Sequence, residues 1–239
     1  MSTEELVQVS QDNGVVRIRL NRPAKKNAFT QDMYTTCNEA LKAADNDSSV
    51  HAVLFESSGD SFSAGNDLND FLSTENLDES APAFQFLHTL ARAEVPIVAA
   101  VNGLAIGIGT TLLLHCDIVY SSDDAVFALP FVQLGLLPEA ASSLLLPQIC
   151  GYQKAAELLL LGESFDAHVV SLERLPVVVE ETLDKLRKQS SKSLRISKHL
   201  LKQPTESVAD RISREATFFA KALSSDEARQ AIAAKLQKK

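Results

Sequence analysis

Two apolar runs in this chain break into turns of small residues, and those turns constrain its fold more than any other feature. One is Phe62-Ser63-Ala64-Gly65-Asn66-Asp67-Leu68; the other is Ala99-Ala100-Val101-Asn102-Gly103-Leu104-Ala105-Ile106-Gly107-Ile108-Gly109. Each reads as a hydrophobic strand that ends in a tight turn and then re-enters regular structure. Small side chains let another molecule's atoms approach the exposed peptide N–H groups of such turns. Two turns facing one cavity would pair their donors on a negatively charged oxygen, which points to enolate chemistry. Neither turn is a phosphate loop. No Gly-Lys-Ser/Thr follows, and Leu112 stands where Gly107-x-Gly109 would need its third glycine.

The surrounding pattern predicts alternating strands and helices. Strands at 7–11 and Val15–Leu20 flank Asp12-Asn13-Gly14, a hairpin signal. Thr30 caps a helix reaching to about residue 44, with Met33, Cys37, Ala40 and Leu41 on one face. A buried strand follows at 50–56, then a polar, irregular stretch at 71–81. A helix at 83–93 carries Phe84, Leu87, Leu90 and Ala91 at packing distance. A strand at 96–101, an apolar helix at 110–115, and strands at Ile118–Ser121 and 125–128 come next. Helices are expected from Pro138 through Leu145 and over 153–161. The order strand, strand, helix recurs about three times, and units that bury one face only on the next imply a coiled or layered α/β core. Beyond Phe165 the pattern turns helical, with amphipathic stretches at 180–189, 193–202 and 207–223. These have no strand partner of their own, so their apolar faces must pack on the core or on another subunit.

Composition narrows the function. The chain has 239 residues and a formal charge of −8, which disfavours general nucleic-acid binding. Its three cysteines, Cys37, Cys116 and Cys150, are widely spaced and odd in number, so neither a disulfide framework nor a metal site is expected. The first residues are polar and acidic rather than a signal peptide, and Leu236-Gln237-Lys238-Lys239 is not a peroxisomal address. No apolar run approaches the roughly 20 residues that span a bilayer. A cytoplasmic protein without membrane association is the expectation.

Among side chains, Glu139 is the candidate base. It lies in Leu134-Gly135-Leu136-Leu137-Pro138-Glu139-Ala140-Ala141-Ser142, among apolar and small residues. A carboxylate poor in neighbouring cations and water is a better base towards a carbon acid. The competing account is structural: proline at the first helical position with glutamate behind it is an ordinary helix start. Asn66 and Asp67 fit a helix cap before Leu68 equally well. The histidines show neither metal spacing nor a triad pattern. The basic run Lys185, Arg187, Lys188, Lys192, Arg195, Lys198 and Lys202 reads as a solvated helix face or as cations near a ligand's phosphates.

With these residues in view, the chain resembles the crotonase (enoyl-CoA hydratase/isomerase) superfamily. The matching pieces run in family order: Asn21-Arg22-Pro23 with Lys26-Asn27-Ala28, the two turn motifs, Cys116-Asp117, and Glu157-Leu158-Leu159-Leu160-Leu161-Gly162. The resemblance implies an α/β spiral of ββα repeats over residues 1–165, holding the active site, and a helical oligomerisation region over 166–239. It implies acyl-CoA thioester substrates, with coenzyme A as part of the substrate and no separate cofactor, and a homotrimer or dimer of trimers. By the same resemblance the N–H groups of Ala64 and Ile108 form an oxyanion hole. Ala64, Gly65, Asn66, Asp67 and Leu68 line the coenzyme A site, and its adenine lies near Ala24 and Lys25. Phe84, Leu87, Phe127 and Phe131 are expected to wall an apolar acyl pocket.

The hydratases of that family carry two glutamates, and this chain has Thr111 and Phe131 in their places. Glu139 instead occupies the position used by peroxisomal-type Δ3,Δ2-enoyl-CoA isomerases, whose pattern Gly107-Ile108-Gly109-Thr110-Thr111 and Pro130-Phe131 also resemble. The expectation is therefore an isomerase with Glu139 as base and with Ala64 and Ile108 as donors. The alternatives are a hydratase-type or other crotonase-fold acyl-CoA enzyme, and a silent acyl-CoA-binding subunit. One departure stands out: after Phe165-Asp166-Ala167 the chain runs almost directly into His168-Val169-Val170, where the family has a short helix and strand.

Overall fold

The computed structural model describes residues 5–73, 78–166, 170–203, 205–226, 228–230 and 232. Strands β1 (Val7–Asp12) and β2 (Val15–Leu20) form the expected antiparallel hairpin, with Asp12 opposite Val15. Asn13 and Gly14 at its tip both take positive φ (48° and 74°), the backbone that lets a two-residue turn follow the strand twist. From β2 onward the main sheet is parallel. Helix α1 (Gln31–Asn46) returns the chain to β3 (Ala52–Ser57) beside β2. After α2 (Leu68–Ser73), α3 (Pro82–Arg92) leads to β4 (Ile97–Val101) beside β3. Strand β6 (Ile118–Ser121) closes the order β1-β2-β3-β4-β6.

The period of two along these strands sorts their side chains into two cores. Val16, Ile18, Val53, Phe55, Ile97 and Ala99 face α1 and α3, where Phe29, Tyr34 and Phe86 pack ring on ring. Val15, Leu54 and Val98 face the other way, onto Leu175, Val179 and Leu183 of α7 (Leu175–Arg187). Burial on both faces is why the strands read as continuous apolar runs rather than alternating ones. Thr30 caps α1 as expected, its hydroxyl accepting from the Met33 N–H at 3.3 Å.

A second sheet pairs β5 (Leu104–Ile106) with β7 (Val126–Ala128) in parallel. Sequence reading treated 104–106 as part of the turn motif and did not expect a strand there. Gly103 makes the corner between β4 and β5: its φ is +56°, and a Cβ there would lie 1.9 Å from the Asp60 carbonyl. The predicted helix at 110–115 is a short α4 (Ile108–Thr111) that tightens to a 3-10 turn at Leu112–His115.

The helix expected from Pro138 is corrected. Helix α5 (Ser142–Cys150) begins after Ala140 and Ala141, whose φ values of 52° and 56° are left-handed and cannot continue a helix. Glu139 therefore stands in a loop and not at a helix start. Helix α6 (Tyr152–Leu161) follows. The junction at 167–169 lies outside the described residues, as do 74–77 of the stretch expected to be irregular, which begins inside α2. On the near side of the junction, Phe165 bridges to Phe127, and on the far side Val170 bridges to Ser122.

The basic run is neither a solvated face nor a free cation cluster throughout. On α8 (Ser191–Leu201), the Arg195 guanidinium donates to the carbonyls of Ala44, Asp45 and Asp47 at the end of α1. Lys198 is buried, paired with Asp117 at 2.7 Å and donating to the Val95 carbonyl at 2.7 Å. Both cations staple α8 to the core. Helix α9 (Val208–Leu223) buries no residue and exposes Val208, Ile212, Phe219 and Leu223. Among the described residues no helix is long and apolar enough to cross a membrane.

Candidate active site

A cavity of about 440 Å³ opens between α3 and the loop that precedes α5. Phe84, Leu87 and Phe131 supply apolar wall, while Asn66, His115 and Glu139 bring polar groups into it. The expected Phe127 is not there. It is buried and stacks on Phe165 with ring centroids 5.5 Å apart, because its strand β7 turns that side chain inward.

Asn66, on the cavity wall, belongs to the first of the two glycine turns, which lies against the second. Ser63 N–H donates to the Leu104 carbonyl and Ile106 N–H to the Ser63 carbonyl, at 2.8 and 2.9 Å, which ties the first turn alongside β5. Contact is so close that glycine is needed on both sides. A Cβ on Gly109 would sit 2.8 Å from the Ser63 carbonyl, and one on Gly65 would sit 3.0 Å from that of Ile106. Gly65 and Gly107 both take positive φ, 95° and 55°.

This apposition decides which amides are free. Ala64 N–H is not, for it donates to the Lys26 carbonyl at 2.8 Å. The expectation that Ala64 contributes an oxyanion donor is thereby corrected. Two residues on, Gly65 carbonyl and Asp67 N–H both bond to Phe29, so the intervening Asn66 N–H faces the other way and meets no acceptor among the described residues. Ile108 N–H is the first of α4 and is likewise without an acceptor, as helix geometry requires of a first-turn donor. Each free N–H directly follows one of the apposed glycines, Gly65 and Gly107, and a Cβ on Gly107 would lie 3.9 Å from the Gly65 Cα. Two donors without acceptors among the described residues thus follow neighbouring glycines, one of them at a helix N-terminus.

The segment around Asn21-Arg22-Pro23 holds the first turn from outside. Asn27 is fully buried with φ 54°; its amide accepts from Arg22 N–H at 2.7 Å and donates to the carbonyls of Ser58 and Ser61. Arg22 pairs with Asp67 at 2.8 Å, and the Asp67 carboxylate also caps α2 through the Asn69 and Asp70 N–H groups. The hydrogen bond from Arg22, with those backbone donors, holds the Asp67 carboxyl below its ordinary value. The cap role read from sequence is thus Asp67's. Ala24 and Lys25 lie exposed on the adjoining 3-10 turn Pro23–Lys25, and Leu68 is exposed at the start of α2.

Glu139 is the acid in the cavity. Burial pushes its carboxyl up to about 7, against a small opposing effect from the Thr111 hydroxyl, which donates to Oε1 at 3.3 Å. Near neutral pH it is therefore divided between a proton acceptor and a proton donor. Two further groups escaped sequence reading. The buried Tyr34 hydroxyl donates to Asn66 Oδ1 at 2.5 Å and fixes that side chain. Its own ionisation is pushed well up, by burial first and by the Glu139 charge second, so it serves as a neutral donor. His115 Nε2 lies 2.8 Å from the Ala140 carbonyl. A tyrosine on an apolar helix face and a histidine after an apolar helix look like core residues until distant loops come to rest on them.

The family model described as enoyl-CoA hydratase/isomerase matches residues 10–239. Enoyl-CoA delta isomerase 2 of Rattus norvegicus is 39% identical over 213 residues, covering 82% of this chain and 54% of the rat protein. The chain thus spans about half the length of that relative. The 1,2-epoxyphenylacetyl-CoA isomerase of Escherichia coli K12 is 34% identical over 81% of this chain and 75% of its own. A solved structure from Magnetospirillum magneticum AMB-1, described as an enoyl-CoA hydratase/carnithine racemase, superposes with a TM-score of 0.94 at 40% identity, covering 99% of this chain and 98% of that one.

Proposed function

The chain belongs to the enoyl-CoA hydratase/isomerase family, and within it we propose that it shifts the double bond of a 3-enoyl-CoA to give trans-2-enoyl-CoA. The carrying observation is one carboxyl, Glu139, raised to about 7 in an apolar cavity also lined by Asn66, whose N–H, like that of Ile108, has no acceptor among the described residues. In the reaction the Glu139 carboxylate takes a proton from C2. The electron pair flows into the thioester, whose oxygen becomes an enolate held by the N–H groups of Asn66 and Ile108. The protonated Glu139 then returns the proton at C4, and the double bond comes to rest between C2 and C3. One acid suffices because C2 and C4 are ends of a single allylic system. Each main-chain donor is worth about 2.7–4 kcal/mol of barrier in sites of this kind.

Thr111 and Phe131 support isomerisation over water addition, since neither can activate a water as a carboxylate does. Coenzyme A enters as part of the substrate, along the turn of Ala24 and Lys25 and the loop from Gly65 to Leu68. The exposed apolar face of α9 is the surface through which copies of this chain assemble, as a trimer or a pair of trimers.

The test is the appearance of conjugated 2-enoyl-CoA from 3-enoyl-CoA with wild-type protein and Glu139→Gln. Equal rates would remove Glu139 from the reaction. Turnover of crotonyl-CoA with water would favour a hydratase. Failure to exchange the C2 proton in deuterated water would leave only an acyl-CoA-binding subunit.

A further inference from the structure

Glu139 is followed by two non-glycine residues in the left-handed region, Ala140 and Ala141, a conformation that costs about 1–2 kcal/mol per residue. Such a turn persists only where its surroundings over-determine it. Part of the constraint comes from below, where Ala141 carbonyl accepts from the Leu144 and Leu145 N–H groups and Glu139 carbonyl from that of Ser142. Thr111 reaches the Glu139 side chain, and among the described residues the Ala140 carbonyl is held by His115. A ring nitrogen bonds a carbonyl only when it carries the proton, so the Ala140 oxygen requires the proton on Nε2. His115 is buried and lies at the end of the segment that opens with Ile108 and contains Thr111.

We propose that His115 is a positioning residue that locks the Glu139 loop to the same segment that supplies the oxyanion donor, setting the distance between base and enolate oxygen. One stretch of backbone, Ile108 to His115, then holds the enolate oxygen at its first residue, the Glu139 carboxyl at Thr111, and the loop's strained carbonyl at its last. The imidazole acts while neutral. Burial lowers its pKa, and Lys202 at the end of α8 and Lys198 within it lower it further, against the hydrogen bond to Ala140. A neutral ring beside the loop also leaves the Glu139 carboxyl without a cation that would depress its basicity. The inference rests on Glu139 being the base, and the E139Q enzyme separates the two claims.

The experiment compares kcat, KM and the pH profile of 3-enoyl-CoA isomerisation for wild type, H115L, H115Q, H115N and E139Q. Glutamine can place a donor where Nε2 stands, while the shorter asparagine leaves Ala140 unbonded. Expected are a kcat about 10- to 100-fold lower for H115L and H115N, KM within about twofold, and kcat restored to within about threefold by H115Q. H115N carries the test where the leucine variant fails to fold. A wild-type kcat in H115N, a glutamine variant as slow as asparagine, or a change in KM alone would overturn the proposal. With E139Q slow, any of these leaves the base assignment standing; E139Q as fast as wild type overturns that assignment and the proposal together.

Discussion

The Thr111 hydroxyl donates to the Glu139 carboxyl across 3.3 Å, although the two residues come from a helix and a loop that share no local sequence. The family resemblance read from the sequence implies a glutamate at this position in hydratases. Here that position supports another acid. Because the hydroxyl favours the charged carboxylate, its removal should raise the carboxyl above its value of about 7. Thr111→Val is expected to move the acidic limb of kcat/KM to higher pH, with activity at high pH largely kept. An unmoved limb would show that Thr111 does not reach the ionising group.

Glu139 should also leave a signature in stability. Its folded pKa of about 7 exceeds the ordinary 4.5, so between those values the folded chain binds more protons than the unfolded one. Stability must then fall as pH rises across that window. Glu139→Gln removes this burden and should stabilise the protein by up to about 3 kcal/mol at pH 8, with little difference at pH 4.5. Thermal melts of both proteins at the two pH values give the comparison. Activity of the same variant should drop about 10²–10⁴-fold.

Gly107 has φ 55° and ψ −117°, a region that side chains strongly disfavour. Gly107→Ala is expected to turn the Ile108 N–H away and to lower kcat by about 10²–10³-fold. Isothermal calorimetry with a saturated acyl-CoA should still detect binding. Wild-type turnover in this variant would argue that the Ile108 amide takes no part.

Asn27→Ala would leave the Arg22 amide and two carbonyls, those of Ser58 and Ser61, without partners in a buried place. The expected loss is about 2–4 kcal/mol of folding stability, read from urea denaturation. A loss below about 0.5 kcal/mol would mean that water replaces the amide at no cost.

Phe219 and Ile212 lie exposed on α9, none of whose residues is buried in the described chain. Phe219→Asp should lower the assembly state seen by sedimentation. An unchanged sedimentation coefficient would place the subunit contact elsewhere.

Much of the fold was legible in the sequence because its causes are local. Asn13-Gly14 needs two left-handed residues, and only a few residue types accept them at low cost. Gly65, Gly103, Gly107 and Gly109 mark where backbones touch, since a Cβ at most of them would meet a carbonyl. The apolar runs of β3 and β4 announced strands covered on both faces. Glu139, which lines the cavity, also stood out in the sequence by the absence of charge around it.

What only the tertiary structure decided was pairing. Ala64 and Asn66 look equally able to present an N–H, yet Lys26 takes the first and leaves the second, and nothing near residue 64 encodes that choice. Glu139 was expected at a helix start, but two left-handed alanines put it in a loop that His115, far along the chain, holds in place. Steric demands are written residue by residue, whereas a hydrogen bond has two ends. Which donors remain free for a substrate is known only once every other donor has found its acceptor.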